Sequence, residues 1–100
     1  MVQATTPTFI LTLPNTVDLS LANNVYFSLK QGVNSIVKTG DALVIDGRTV
    51  SVYLSQEETL PFFGGMARLQ LNWTYSDGSR ACSKIVTVYV GENLLKEVVE

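Results

Sequence analysis

The residues from Ala67 to Tyr75 alternate between apolar and polar side chains, and this two-residue period constrains the fold more than any other feature. The odd-numbered positions are apolar or aromatic, and the even-numbered positions are polar: Ala67, Leu69, Leu71, Trp73 and Tyr75 against Arg68, Gln70, Asn72 and Thr74. Successive side chains of a β-strand point to opposite faces of the sheet. The pattern therefore predicts a half-buried strand with one face in the core.

A second run of the same kind follows an Asp77-Gly78 pair, which favours a tight type I′ hairpin turn because its central residues need positive φ. In this run, Cys82 to Val90, one face carries Val86, Val88 and Val90, and the other carries Ile85, Thr87 and Tyr89. The stretch from Asn72 to Val90 is thus predicted to be one long hairpin. Its Trp73 and Cys82 are predicted to face the core.

Shorter apolar runs of period two recur upstream, separated by turn residues. The in-register triplets are Phe9, Leu11 and Leu13; Val17, Leu19 and Leu21; Val25, Phe27 and Leu29; and, after a second turn at Asp46-Gly47, Val50, Val52 and Leu54. The short runs "SIVK" and "ALVI" lie between the last two triplets. Seven or eight short strands at regular spacing indicate an all-β fold, an immunoglobulin-like antiparallel β-sandwich.

The segment "SQEETLPFFGG" interrupts this period. Ser55 stands three residues before Glu58, which is the spacing of a helix capping box, and Pro61 soon ends any helix. We expect one short helical turn that crosses from one sheet to the other, with Gly64-Gly65 opening the next strand.

The length of 100 residues corresponds to a single domain, residues 1–100. We expect a flexible polar arm at the N-terminus, residues 1–8, and an apolar tail at the C-terminus, residues 93–100. The tail has Leu94, Leu95, Val98 and Val99 at helical spacing, but a helix of this length is marginal in isolation.

Residue types that usually carry chemistry are scarce. The chain has no histidine, which removes Ser-His and Cys-His pairs and imidazole metal ligands. Its single cysteine, Cys82, cannot form an internal disulfide and is interpreted as a small core hydrophobe rather than a nucleophile. Asp41, Asp46 and Asp77 stand near glycines in turns and match no calcium loop. We therefore expect no enzyme activity, no catalytic residue, no metal and no cofactor.

The net charge and the positions of the basic residues limit the classes of molecule that this chain is expected to bind. Seven Lys and Arg oppose nine Asp and Glu, for a net charge of -2, and the basic residues are dispersed along the sequence. Phosphate binding draws on concentrated positive charge, so we expect no nucleic-acid partner. No apolar run approaches the roughly 18 residues of a membrane span, and the start "MVQATTPTFIL" does not have the features of a signal peptide. We expect synthesis in the cytoplasm, no membrane partner and no small-molecule substrate.

Four residues are predicted to point outward from strands although they are large and apolar or aromatic: Tyr26, Tyr53, Ile85 and Tyr89. Tyrosine has good β-propensity and can simply decorate a solvated strand. Tyrosine is also enriched in the cores of protein interfaces, so the alternative is a protein-contact surface. The apolar tail residues Leu94, Leu95, Val98 and Val99 are candidates for a second contact.

Three motifs in order carry a family resemblance: "VYFSLKQG", "IDGRTVSVYLSQEETLPF" and "ARLQLNWTYSDGSRACSKIVTVYVGENL". Over residues Val25 to Leu95 the chain resembles small virion structural proteins of phages and prophages. It is also similar to the immunoglobulin-like N-terminal domain of siphophage baseplate upper proteins. The resemblance implies a role in assembly without catalysis.

The expected function is that of a phage or prophage structural protein that docks onto other virion subunits of the tail, baseplate or head. Its expected partners are other virion structural proteins, with a homo-oligomer or multi-copy assembly. The alternative is a bacterial immunoglobulin-like binding or adhesion module.

Overall fold

A computed structural model describes residues 1–95 as two antiparallel sheets packed face to face. The strands are β1 (Thr8–Thr12), β2 (Ala22–Gln31), β3 (Asn34–Thr39), β4 (Leu43–Asp46), β5 (Thr49–Tyr53), β6 (Gly65–Tyr75), β7 (Arg80–Cys82) and β8 (Val86–Val90). One α-helical turn, α1 (Gln56–Thr59), and two 3-10 turns, Leu19–Leu21 and Gly40–Ala42, connect them. The all-β sandwich predicted from the alternating pattern is confirmed.

The smaller sheet has the strand order β1-β5-β4, and the larger has the order β3-β2-β6. On its other side, β6 pairs with β8 along its first half and with β7 along its second half. β6 is the longest strand, with 11 residues, and this length lets it pair with β2 on one side and with both β7 and β8 on the other.

The inner faces of the two sheets form one core, as the alternation predicts. Val25, Phe27 and Leu29 of β2 and Leu69 and Leu71 of β6 are buried. From the smaller sheet, the buried residues are Leu43, Val50, Val52 and, just after β5, Leu54. The rings of Phe9 and Phe27, one from each sheet, lie with centroids 5.9 Å apart in a tilted arrangement that aromatic pairs favour.

The predicted strand from Cys82 to Val90 is broken, and the predicted inward position of Cys82 is wrong. Five residue steps separate Ala81 from Val86, but four separate their partners Trp73 and Leu69. The segment that joins β7 to β8 therefore holds one extra residue, as in a β-bulge, and an extra residue exchanges the inward and outward positions. Cys82 is consequently exposed, whereas Ala81 packs against the core.

The turn at Asp77-Gly78 also differs from the prediction. Gly78 has a φ of 87°, but no positive φ occurs at Asp77, so the turn is not type I′. Gly78 N donates to Tyr75 O at 3.0 Å and Tyr75 N donates to Ser79 O at 2.9 Å, which leaves three residues, 76–78, in the loop. Three-residue hairpin loops place a glycine in this left-handed conformation.

The triplet Val17, Leu19 and Leu21 does not form the predicted strand. Leu19 is buried within the 3-10 turn Leu19–Leu21, but Leu21 is exposed. Asp18 caps this turn by accepting a hydrogen bond from Ser20 N at 3.0 Å. A capped turn, rather than a strand, therefore leads from the smaller sheet into β2.

The predicted helical turn after β5 is confirmed, with its capping box. Ser55 Oγ accepts from Glu58 N at 3.2 Å, and Glu58 Oε1 accepts from Ser55 N at 2.9 Å. Lys38 Nζ of β3 lies 2.7 Å from Glu58 Oε2. Burial raises the pKa of Glu58, but the hydrogen bonds from Lys38 and Ser55 outweigh this and lower it. The turn α1 crosses between the sheets, and the ion pair between Glu58 and Lys38 joins it to β3 of the larger sheet.

Both ends of the described chain meet at the end of β8. Gly91 N donates to Met1 O at 2.8 Å, and Gln3 N donates to Gly91 O at 2.9 Å. The buried Gln3 also accepts from Asn93 Nδ2 at its backbone oxygen, at 3.0 Å. The first residues of the predicted N-terminal arm thus have defined partners, and β1 begins at Thr8.

Candidate interaction surface

The outer face of the five-stranded sheet is polar and carries three basic side chains. Its outward residues include Tyr26, Ser28 and Lys30 of β2, Val37 of β3, Arg68, Gln70 and Asn72 of β6, Arg80 and Cys82 of β7, and Tyr89 of β8. Within residues 1–95, no outward position of these five strands is Asp or Glu. This face is therefore basic, although the whole chain has a net charge of -2.

Two shallow depressions on this face share Ser28, Asn72 and Arg80, and together they form what we name the sheet groove. One depression, of about 330 Å³, is lined also by Lys30, Arg68, Gln70 and Ile85. The other, of about 340 Å³, is lined also by Tyr26, Val37 and Thr74. The groove therefore has a basic end, formed by Lys30 and Arg68 with Arg80 of the shared middle beside them, and an apolar end at Tyr26 and Val37.

Hydrogen bonds hold the middle of the sheet groove in place. Asn72 Oδ1 accepts from Arg80 Nη2 at 3.0 Å and from Arg80 Nε at 3.3 Å, so the guanidinium is aligned along β6. Gln70 Nε2 donates to Ser83 O at 2.9 Å, and Ser83 Oγ accepts from Leu71 N at 2.9 Å. The segment that joins β7 to β8 is thereby tied to β6, which places Ile85 beside the basic end.

The structure brings together only some of the outward residues predicted as protein contacts. Tyr26 and Ile85 line the sheet groove, at opposite ends. Tyr89 is exposed on the same sheet opposite Met66 and lines neither depression. Tyr53 is exposed on the smaller sheet, so the three tyrosines do not form one surface. Their role in contacts stays a prediction.

The tail residues predicted as a second contact are described only in part. Leu94 is 95% exposed and Leu95 is 51% exposed. The fold holds this segment through Asn93, whose Oδ1 accepts from Leu95 N at 3.1 Å. Val98 and Val99 lie outside the described residues, so the tail contact stays a prediction.

The outer face of the smaller sheet has a different character. Ile10 of β1 and Val44 of β4 are each 68% exposed, and both pair with Ser51 of β5. The neighbouring row consists of Thr12, Thr49 and Asp46. This face is uncharged apart from one carboxylate at its end.

A third feature is a cleft of about 410 Å³ at the edge of the sandwich. Leu11, Leu13 and Val17 line one side, and Trp73 and Val86 are among the residues that line the other. Trp73 Nε1 donates to Tyr75 OH at 2.9 Å, so the N–H group of this buried indole has a hydrogen-bond partner. The cleft accounts for the partial exposure of Val86, which shares the inward register of the buried Val90.

The acidic turn residues carry local hydrogen bonds. The hydroxyl and backbone N–H of Ser79 donate to Asp77 Oδ1 at 2.6 and 2.8 Å, and these bonds lower the pKa of Asp77. Ser20 lowers the pKa of Asp18 in the same way.

No group of three His, Cys, Asp or Glu side chains in residues 1–95 is placed to hold a metal ion. No helix in that part of the chain is long and apolar enough to span a membrane.

The basic end of the sheet groove is the feature that sequence reasoning missed. Lys30, Arg68 and Arg80 are far apart in the sequence, which led to the interpretation that the basic residues are dispersed. The signal was available in part, because Lys30 has the outward phase of Tyr26, and Arg68 has the outward phase of Gln70. That these three basic side chains lie on one face of one sheet, however, depends on which strands pair, and the sequence does not show this.

Searches with this chain against protein-family models, curated proteins and solved structures found no match.

Proposed function

We propose that the protein is a structural module of a phage or prophage virion, which docks without catalysis onto other virion subunits through the sheet groove. The virion setting is supported by the motif order between Val25 and Leu95 in the sequence. The proposed assembly contains several copies of the chain alongside other virion proteins.

One observation carries the docking proposal: the sheet groove places exposed apolar side chains beside fixed polar ones. Tyr26 and Val37 are exposed at one end, while the amide of Asn72 and the guanidinium of Arg80 are held together in the middle. Protein interfaces combine an aromatic or aliphatic anchor with oriented polar groups, and arginine and tyrosine are enriched among the residues that dominate binding. A partner side chain seated between Tyr26 and Val37 would remove both from water.

The experiment compares two matched double variants in particles purified from the strain that carries the gene. The first, Tyr26→Ser with Val37→Ser, removes the apolar end of the sheet groove. The second, Tyr53→Ser with Val44→Ser, removes the same residue types from the smaller sheet. We expect the first variant to be depleted from particles by about tenfold or more, and the second to remain within about twofold of wild type. Quantitative mass spectrometry of the particles gives the measurement.

Circular dichroism and thermal melting of both purified variants control for folding. Absence of the wild-type protein from the particles would overturn the virion proposal. Equal incorporation of the two double variants would show that docking does not use the sheet groove.

A further inference from the structure

The basic end of the sheet groove contains positive charges that the described part of the chain leaves without an opposite charge. Lys30 of β2 and Arg68 of β6 are direct cross-strand partners on the same face. Like charges directly opposite each other in an antiparallel pair are destabilising. Arg80 lines the same depression and adds a third positive charge.

The acidic side chains within residues 1–95 do not relieve this repulsion. Lys30, Arg68 and Arg80 form no ion pair within the described residues. Lys38 on the adjacent strand shows the contrast, because Glu58 lies 2.7 Å from its amine. Asp41, Asp46 and Asp77 stand in or beside turns, and none of them occupies an outward position of the larger sheet.

We propose that the basic end of the sheet groove binds the carboxylate side chains of an acidic segment on a partner protein. This inference rests on the proposed docking function and adds the chemistry of the partner. A carboxylate between Lys30 and Arg68 would convert a repulsive pair into a bridged one, and arginine can bind a carboxylate through two parallel hydrogen bonds. The Arg80 guanidinium is already aligned by Asn72, so less conformational entropy is lost when it binds.

The observations favour an acidic protein over a nucleic acid. The basic end has three cations in a chain of net charge -2, which is a small positive surface for a phosphate backbone. The adjoining apolar end, with Tyr26 and Val37, fits an aliphatic side chain that stands next to an acidic one.

The test uses the full chain and an end-capped octaglutamate peptide, with binding followed by backbone NMR shifts at an ionic strength of about 10 mM, where charge interactions are least screened. Two variants are compared, Lys30→Glu and Lys84→Glu. Both variants change the net charge by the same amount, but Lys84 lines the 410 Å³ cleft at the edge of the sandwich rather than the sheet groove. An octathymidylate strand serves as the nucleic-acid probe.

We expect wild type to bind the peptide, with shifts concentrated on the outward residues of β2, β6 and β7. Lys30→Glu should weaken this binding by about tenfold, and Lys84→Glu by less than about twofold. Lys30→Glu should also raise the melting temperature by about 1–4 °C, because the introduced carboxylate would face Arg68 with the opposite charge. Loss of affinity together with a gain in stability distinguishes a binding role from a purely structural one.

Four results would overturn the proposal: no peptide binding by wild type, equal weakening by the two variants, tighter binding of octathymidylate than of octaglutamate, or a Lys30→Glu protein that melts at or below the wild-type temperature. Failure here is separable from failure of the docking function. In that case the Tyr26 and Val37 double variant would still be depleted from particles, while Lys30→Glu would be incorporated normally.

Discussion

The outer faces of the two sheets differ in charge and shape, although their inner faces build one core. The smaller sheet presents Ile10, Ser51 and Val44 in a row, with one carboxylate, Asp46, beside it. The larger sheet presents Lys30, Arg68 and Arg80 around a groove. Both sheets supply buried side chains to the core, and the alternation of their strands does so whatever charge the outer faces carry. The concentration of basic groups on one face is therefore the feature most informative about partners.

The largest effect is expected where the sheets meet. Phe27→Ala removes a fully buried ring that contacts Phe9 of the other sheet, and should lower the free energy of unfolding by about 3–5 kcal/mol. Ser28→Ala, one residue away on the outer face, should change it by less than about 0.5 kcal/mol. Urea denaturation of both variants provides the measurement. Similar losses for the two would contradict the division into inner and outer faces.

The position of Cys82 tests which residues belong to the basic face. Cys82 should react with a thiol reagent in the native protein at a rate within about threefold of that in the unfolded chain, because its side chain is exposed. The control is Ala81→Cys in a Cys82→Ser background, which places the thiol against the core and should react at least about tenfold more slowly. Faster labelling at position 81 than at position 82 would show that the extra residue between β7 and β8 is misplaced.

Lys38 has an acidic partner in Glu58, whereas Lys30 has none within residues 1–95, and the contribution of the Lys38–Glu58 pair can be tested by pH. Glu58→Gln should lower the free energy of unfolding by about 1 kcal/mol at pH 7, since Glu58 accepts hydrogen bonds from Lys38 and Ser55. The pKa of Glu58 is lowered from 4.5 in the folded state, so its contribution is present above pH 4.5 and is lost as pH falls through the folded value.

The difference between wild type and Glu58→Gln should therefore shrink in acid, as measured by thermal melts from pH 7 to pH 3. The neighbouring Glu57→Gln, at an exposed carboxyl of the same helical turn, serves as the control and should show a smaller difference from wild type at pH 7. A difference that stays constant across this range would exclude the Lys38–Glu58 pair as its source.

The smallest effects are expected on the outer face of the smaller sheet. Ile10→Thr and Val44→Thr keep β-branched side chains at exposed strand positions and should each change the free energy of unfolding by less than about 0.5 kcal/mol. Both should leave octaglutamate binding unchanged. A loss of binding in either variant would mean that the two outer faces are not independent.

Much of the fold was predictable because it follows from local periodicity. The inward sets on β2, β5 and β6 were correct, since a two-residue period directly encodes which side chains share a face. The capping box at Ser55 and Glu58 was also correct, because its hydrogen bonds connect residues three apart. The errors at Cys82 and at Val17 to Leu21 arose where a single extra residue or a capped turn interrupts the period.

The candidate site was predictable only in part. That Tyr26 and Ile85 point outward could be inferred within their own segments, and both line the sheet groove. That Tyr53 lies on the other side of the molecule could not, because the assignment of β5 to the smaller sheet depends on its pairing with β1 and β4.

The sequence by itself determined the secondary-structure type and the inner faces of its main strands, because alternation, turn residues and capping are relations between near neighbours. The tertiary structure alone decided that Lys30, Arg68 and Arg80 would meet on one face and that Lys38 would meet Glu58. These residues are separated by 12 to 50 positions in the sequence, and only strand pairing and the crossing of α1 bring them together. Charge that is dispersed along the chain thus becomes concentrated in space, since the order of strands in a sheet is a long-range property.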